Sequence, residues 1–265
     1  MIPRFEPLKY LESLQAKGRS SFTSIDFSKA LSIKGKAAEF ALIRLRQKEK
    51  IISPAPGFHV LLPPEYQSRG SPPPDFFIDD LMKYLEIPYY VSLLSAAERY
   101  GAAHQRPQKF QVMVGEKRRD IICGKAYLQL FFRKNLTEIP FEKKEVRTGW
   151  IKVSTPESTA IDLVGYHKQS GGLQNVLTVL SELSESIDSK KLVEAAKFSP
   201  ISWAQRLGAL FSLLKFDELA KDLFDYVETN ATFYVPLVPG PVENKKLKDK
   251  RWKVYLNETL EADEV

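Results

Sequence analysis

The chain has 265 residues, with 39 Lys and Arg against 33 Asp and Glu for a net charge of +6, which is long enough for two domains and a sizeable core. No apolar run reaches bilayer-spanning length, and Met1-Ile2-Pro3-Arg4 lacks the apolar stretch of a signal peptide, so a cytoplasmic protein with no membrane partner is expected. The single cysteine, Cys123, excludes an internal disulfide framework; its apolar Ile-Ile-Cys setting favours a buried inert thiol over a nucleophile.

Charge is unevenly placed along the chain. Residues 1–66 carry 11 Lys and Arg against 6 Asp and Glu, net +5, whereas residues 67–265 carry 28 against 27, net +1. That asymmetry points to a polyanionic partner for the amino-terminal part, because neutralising phosphates dominates affinity for nucleic acid.

In chain order, residues 4–17 read as a helix with Leu8, Leu11 and Leu14 on its apolar side and Gly18 beyond its end. Thr23 and Asp26 make a capping box for a short helix with Phe27, Ala30 and Leu31 inward, and Ser32 is placed as the cap of a second helix. At 100° per residue from Lys34, the residues Ala38, Ala41, Leu42 and Leu45 fall in one narrow arc, the stripe of a helix packed on a core. The opposite arc holds Lys36, Phe40, Ile43 and Gln47, flanked by Arg44 and Arg46. Lys50 to Ile52 and Phe58 to Leu62 read as two strands joined by Ser53-Pro54-Ala55-Pro56-Gly57, with His59 at the base of the turn. This order is that of a helix-turn-helix followed by a wing, whose second helix reads base edges and phosphates in a major groove. Such folds also serve as protein-interaction modules, and Phe40 and Ile43 fit either a reading face or a surface covered by the rest of the chain.

Five prolines between Pro63 and Asp75 suggest an irregular, stiff linker. Helices are expected over Phe76 to Tyr84 and along the Tyr90, Leu93, Leu94, Ala97 stripe that ends at Gly101. Phe110 to Val114, Arg119 to Cys123, Leu128 to Arg133 and Gly149 to Val153 then read as a small, mostly antiparallel sheet. Thr155-Pro156-Glu157 opens a helix to Tyr166, and Ser199-Pro200 repeats that start before Trp203 to Leu214. Between them lie helices over Leu173 to Leu183 and Ser189 to Lys197; Asp217 to Tyr226 follows, and Trp252 to Leu256 adds a last strand.

Motifs for chemistry are sparse. His59, His104 and His167 lie in separate elements without metal-ligand spacing, and there is no phosphate-binding loop, dinucleotide fingerprint or nucleophile elbow, so no cofactor or metal is expected. The one enzymatic alternative is a nuclease-like set of Asp120 with Glu142-Lys143-Lys144, carboxylates for Mg2+ and a lysine beside the attacking water. Those charges fit a solvated connection from Asn135 to Arg147 equally. His104-Gln105-Arg106-Pro107 reads as a helix-to-strand turn or as an anion-contacting surface.

Several segments resemble one family. Leu61-Leu62-Pro63-Pro64-Glu65, Tyr89-Tyr90-Val91-Ser92-Leu93-Leu94-Ser95-Ala96-Ala97, Gly101-Ala102-Ala103-His104-Gln105-Arg106-Pro107, Phe110-Gln111-Val112, Val153-Ser154-Thr155-Pro156-Glu157 with Asp162-Leu163-Val164, and Gln205-Arg206-Leu207-Gly208 are similar to the AbiEi antitoxins. The resemblance implies a winged helix that represses its own operon through inverted repeats in the promoter. It also implies a carboxy-terminal domain that counters a nucleotidyltransferase-like toxin in phage defence, in most such pairs without a stable complex. Glu49 departs from the glycine usual after the recognition helix.

The expectation is therefore an α+β protein with a winged helix-turn-helix over residues 1–66, a Pro-rich linker over 67–75 and an α+β antitoxin domain over 76–265. Its partner is promoter DNA, contacted by Lys34, Lys36, Phe40, Arg44, Arg46, Gln47 and His59, and no residue is catalytic.

Overall fold

The computed structural model describes residues 6–102 and 107–261. The turn expected at His104-Gln105-Arg106 lies outside the described residues. The chain runs α1 (Pro7–Ala16), β1 (Ser21–Thr23), α2 (Ser24–Leu31), α3 (Lys36–Gln47), β2 (Ile51–Ala55), β3 (Phe58–Leu61), α4 (Ile78–Tyr84), β4 (Tyr89–Val91) and α5 (Leu93–Ala97). It continues through β5 (Phe110–Val114), β6 (Ile121–Cys123), β7 (Ala126–Phe132), β8 (Phe141–Val146), β9 (Gly149–Ser154) and α6 (Pro156–Gly165). The last elements are α7 (Leu173–Leu183), α8 (Ser189–Lys197), α9 (Ile201–Leu213), α10 (Lys221–Asn230), β10 (Val235–Pro236), β11 (Lys248–Asp249) and β12 (Val254–Tyr255). The class is α+β, as read from the sequence.

Two compact units divide the chain: Met1–Tyr89 with Gln108–Lys134 and Lys143–Lys152, and Tyr90–Pro107 with Asn135–Glu142 and Val153–Val265. In the first, Tyr10, Leu11 and Leu14 of α1 meet Phe27 and Leu31 of α2, Leu42 and Leu45 of α3, and Phe22, Ile51 and Leu61 of the strands in one apolar cluster. Tyr10 packs edge-on against both Phe22 and Phe27, with centroids 5.5 and 5.6 Å away. Leu8, expected on this side of α1, is instead exposed, and Tyr10 takes the inward place.

Strands β1, β3 and β2 form an antiparallel three-stranded sheet in that order. Ala55 pairs with Phe58, so the β2–β3 turn is only Pro56-Gly57, with Gly57 at φ 77°. A proline followed by a left-handed glycine suits that short loop. The prolines after β3 do not prevent regular structure: Pro64–Arg69 and Pro74–Phe76 are 3-10 turns opened by proline at the first position, where a missing N–H costs nothing. They lie inside the first compact unit.

The larger sheet has the order β6-β7-β5-β4-β9-β8. Its β6–β7 pair is antiparallel while its β5–β7 and β4–β9 pairs are parallel, so parallel pairing enters the sheet beside the antiparallel hairpins. The chain leaves β5, turns back through β6 and returns along β7, which sets β7 beside β5 in the same direction. Tyr89–Val91, expected in a helix, and Phe141–Val146, expected in a loop, are both strands.

The second unit is built round α6, buried at every position from Glu157 to Val164. Thr155 caps it by accepting the Ser158 N–H at 3.2 Å, with Pro156 at the first helical position. Helices α5, α7, α8 and α9 pack on it. Ser199 does not repeat the cap: α9 begins after Pro200 without a side-chain cap, and the Ser199 hydroxyl donates to the Ala195 carbonyl. Gln205 Nε2 donates to the carbonyls of Phe233, Trp252 and Lys253, tying α9 to the small β10-β12-β11 sheet. Gly208 lets the fully buried Trp252 ring lie against α9, since a Cβ there would stand 2.1 Å from Trp252 Cε3.

Candidate nucleic-acid interface

Local rules position α2 and α3. Thr23 Oγ1 accepts the Asp26 N–H at 3.0 Å while Asp26 Oδ2 accepts the Thr23 N–H at 3.2 Å, completing the capping box. Ser32 closes α2 rather than opening α3: it sits at φ 54°, its N–H and that of Ile33 returning to the Lys29 and Ser28 carbonyls. Gly35, at φ 55°, is the residue from which α3 starts. Two left-handed residues three positions apart need a serine tolerant of that region and a glycine free in it. The expected helix therefore begins at Lys36, and Lys34 lies in the turn before it.

At the other end, Glu49 takes φ 50° while its N–H bonds to the Arg46 carbonyl and the Lys50 N–H to that of Leu45. The chain turns off α3 as a glycine would turn it, despite the side chain.

Ala38, Leu42 and Leu45 are buried and Ala41 half-buried, the stripe read from the spacing. Lys34, Lys36, Phe40, Arg44, Arg46 and Gln47 are all exposed. Phe40 keeps 56% of its surface in solvent, and Ile43 is half-covered, so the rest of the described chain does not close over this face. Among the described residues, none of the four cations forms an ion pair. Lys34 and Lys36 lie at the positive end of the α3 dipole, where a cation costs a few tenths of a kcal/mol or more, so helix stability does not account for them. Arg44 and Arg46 occupy the last turn, where the dipole favours them.

Between α3 and the β2–β3 hairpin lies a groove of about 520 Å³, rimmed by Glu39 and Arg46, with Ser24, Ser28, Pro54 and His59 among its lining residues. His59 is placed differently from an exposed wing contact. Only 5% of it is exposed, and its ring lies between two hydroxyls, Nε2 to Ser24 Oγ and Nδ1 to Ser53 Oγ, each 2.8 Å. Burial, and then the charge of Arg46, lower its pKa to about 4. A neutral imidazole with both nitrogens engaged bridges the first turn of α2 to β2. The turn itself is backed by Tyr84, whose hydroxyl donates to the Pro56 carbonyl at 2.9 Å and whose ring packs on Phe58.

The two carboxylates of the nuclease-like set each have a structural partner. Both Asp120 oxygens have structural partners, the Tyr127 hydroxyl at 2.8 Å and the Leu130 N–H at 2.9 Å, while Glu142 accepts from Tyr100 in the other unit. Among the described residues no three His, Cys, Asp or Glu side chains group to hold a metal ion. Cys123 is half-buried and burial raises its pKa, an inert setting.

The second unit contains a polar cluster that sequence spacing does not signal. Tyr90 and Ser92 hydroxyls donate to Asp162 Oδ2 at 2.8 and 3.1 Å, and Ser154 and Thr159 hydroxyls lie 2.6 Å apart, all of them buried. Glu157, also buried, accepts the Asp188 N–H at 3.0 Å. Residues 70 apart meet here, and only the apolar context of Asp162 in Ala-Ile-Asp-Leu-Val marks it as a buried carboxylate needing donors.

Among the described residues no helix is long and apolar enough to cross a membrane. No curated protein matches the chain. The crystal structure of the RV2827C protein from Mycobacterium tuberculosis matches in fold with a TM-score of 0.68, covering 93% of this chain and 89% of that one at 13% identity. Residues 90–213 match the AbiEi antitoxin C-terminal domain, a family of antitoxins rather than enzymes. The matched residues include the segments, from Tyr90 through Ser154-Thr155-Pro156 to Gln205-Arg206, whose side chains build the second unit, and over them the chain is similar to the AbiEi antitoxin family.

Proposed function

We propose that α1 to β3 form a winged helix-turn-helix that binds double-stranded promoter DNA at inverted repeats, with α3 in the major groove, and that the protein thereby represses its own operon. The remainder counters a nucleotidyltransferase-like toxin in the cytoplasm, as part of a phage-defence pair, without catalysing a reaction itself. The observation that carries the DNA reading is the face of α3: Lys36, Arg44 and Gln47 beside an uncovered Phe40, with cations that no carboxylate among the described residues neutralises. Lys36, Arg44 and Gln47 suit base edges, Phe40 a thymine methyl, and Lys34 and Arg46 phosphates. His59 serves this surface indirectly, by holding the hairpin to α2.

The test is a gel-shift titration of the promoter fragment with wild-type protein and the K36E/R44E variant. Affinity is expected to fall by about 1–3 kcal/mol for each base edge that α3 can no longer read. Equal binding by the two proteins would remove α3 from the interface.

A further inference from the structure

Counted by compact unit rather than by position in the chain, the charge is redistributed. The first unit holds 24 Lys and Arg against 13 Asp and Glu, net +11; the second holds 15 against 20, net −5. Residues 1–66 supply only +5 of the +11. Residues 67–89 remove two charges (2 against 4), 108–134 add five (7 against 2), and 143–152 add three (4 against 1). The near-neutral balance of residues 67–265 therefore hides a division between two units of opposite net charge, the positive one containing α3.

The richest of these segments is anchored to the β2–β3 hairpin. Strand β6 packs against β2, with the Cys123 sulfur at the Ser53 backbone. Next to it the Lys125 N–H donates to the Arg69 carbonyl at 3.0 Å, and Gly124 lies so close to Gly70 that an added Cβ would stand 2.2 Å from the Gly70 oxygen. The cations of this second hairpin are thus held in a fixed relation to β2.

Gly115 to Asp120 are exposed throughout, as is Lys125. The two carboxylates of the segment are committed locally: Glu116 pairs with Arg118 at 2.6 Å, and Asp120 accepts from Tyr127 and Leu130. Lys117, Arg119 and Lys125 have no ion-pair partner among the described residues. From Cys123 at β2 back to Arg119 is four residues, about 13 Å of extended chain, the axial span of roughly four phosphates on one strand of a duplex.

We infer that Lys117, Arg119 and Lys125 form a second phosphate-contacting surface for duplex DNA, so that the β6–β7 hairpin extends the footprint of α3 past the β2 edge. This rests on the reading that α3 binds a duplex. Because the contacts are to phosphates, they add affinity without sequence preference and register chiefly in the salt dependence.

The experiment is a fluorescence-anisotropy titration of a fluorescein-labelled duplex of arbitrary sequence across a salt series. It uses full-length wild-type protein, K117A/R119A/K125A and K36A/R44A, with thermal unfolding of each to establish the fold. The log–log slope of affinity against salt is expected to become shallower by about 0.9 for each phosphate left unneutralised, up to about 2.7 for the triple variant. An unchanged slope in the triple variant, with K36A/R44A still weakened, overturns the second surface and leaves the α3 reading standing. A shallower slope in the triple variant with K36A/R44A binding as wild type supports the hairpin surface and removes α3. Absence of duplex binding by wild-type protein at every salt concentration overturns both.

Discussion

His59 makes the pH dependence of the first unit calculable. Its folded pKa of about 4 lies below the ordinary value of 6.5, lowered first by burial and then by Arg46. Both serine hydroxyls could turn to accept from a protonated ring, so burial of charge, rather than loss of a hydrogen bond, is what opposes protonation. Above pH 6.5 the imidazole is neutral folded or unfolded, and its contribution is fully present. As pH falls below 6.5 the unfolded chain takes up a proton that the folded one refuses, and stability drops until about pH 4. A difference of about 2.5 units at 1.36 kcal/mol per unit gives roughly 3 kcal/mol as the largest loss. His167 is also lowered by burial and acts with the same sign, so wild type must be compared with His59→Gln. Urea unfolding between about pH 7 and pH 4 is expected to show a steeper acid loss in wild type than in the variant, and the ring absent from the variant's NMR spectrum should titrate near pH 4 in wild type. A His59 ring titrating at about pH 6 to 7, or parallel stability profiles for the two proteins, would refute the reasoning.

Three further outcomes follow from the backbone and packing. Glu49→Gly relieves a left-handed side chain at the end of α3 and should raise stability by about 0.5–1 kcal/mol in urea unfolding, a loss there arguing that the Glu49 side chain itself has a role. Gly124→Ala should cost well over the roughly 1 kcal/mol expected of Gly18→Ala: both positions have positive φ, but only the first would meet a backbone, and equal melting temperatures would show that the β6–β7 turn can draw away from Gly70 freely. A fragment of residues 1–66 loses Tyr84 from Phe58, Asp80 from the Ser21 hydroxyl and β6 from the β2 edge; it should aggregate or melt without cooperativity, in contrast to a monomeric, cooperatively melting fragment if the sequence boundary were also a structural one.

The elements most legible in the sequence are those whose signal is local. The Thr23–Asp26 box, the Ala38, Leu42, Leu45 stripe, the proline after Thr155 and the apolar runs of α7 each concern residues within one or two turns of one another. Sequence spacing starts α3 too early because Ser32 has the chemistry of either helix end, and only the left-handed backbone at Ser32 and Gly35 decides between them. Strand β8 carries Glu142, Lys143, Lys144 and Glu145, whose alternation of exposed and half-covered positions is obscured when every residue is charged. Tyr89–Val91 lies next to a helix and is too short for its period to be distinguished from one. At the candidate interface the exposed cations of α3 are readable from its wheel, but the fate of His59 is not. Its partners Ser24 and Ser53 lie 35 and 6 residues away, and pairing across a sheet register is what brings them to the ring.

The same distinction between chain order and space governs the charge. The segment matched to the AbiEi C-terminal domain, residues 90–213, contains Gln108–Lys134 and Lys143–Lys152, which the compact units place with α3 rather than with α6. A stretch continuous in sequence thus supplies strands to both units, and its cations fall mainly in one of them. At physiological ionic strength the screening length is about 8 Å, so a duplex responds to the individual charges within a few ångströms of its phosphates rather than to the net charge of a whole unit. What decides affinity is then whether unneutralised cations share one rigid support. Tyr84 on the Pro56 carbonyl, Lys125 on the Arg69 carbonyl and Gly124 on Gly70 provide that support, because each fixes a part of the first unit to the β2–β3 hairpin or to the segment that follows it.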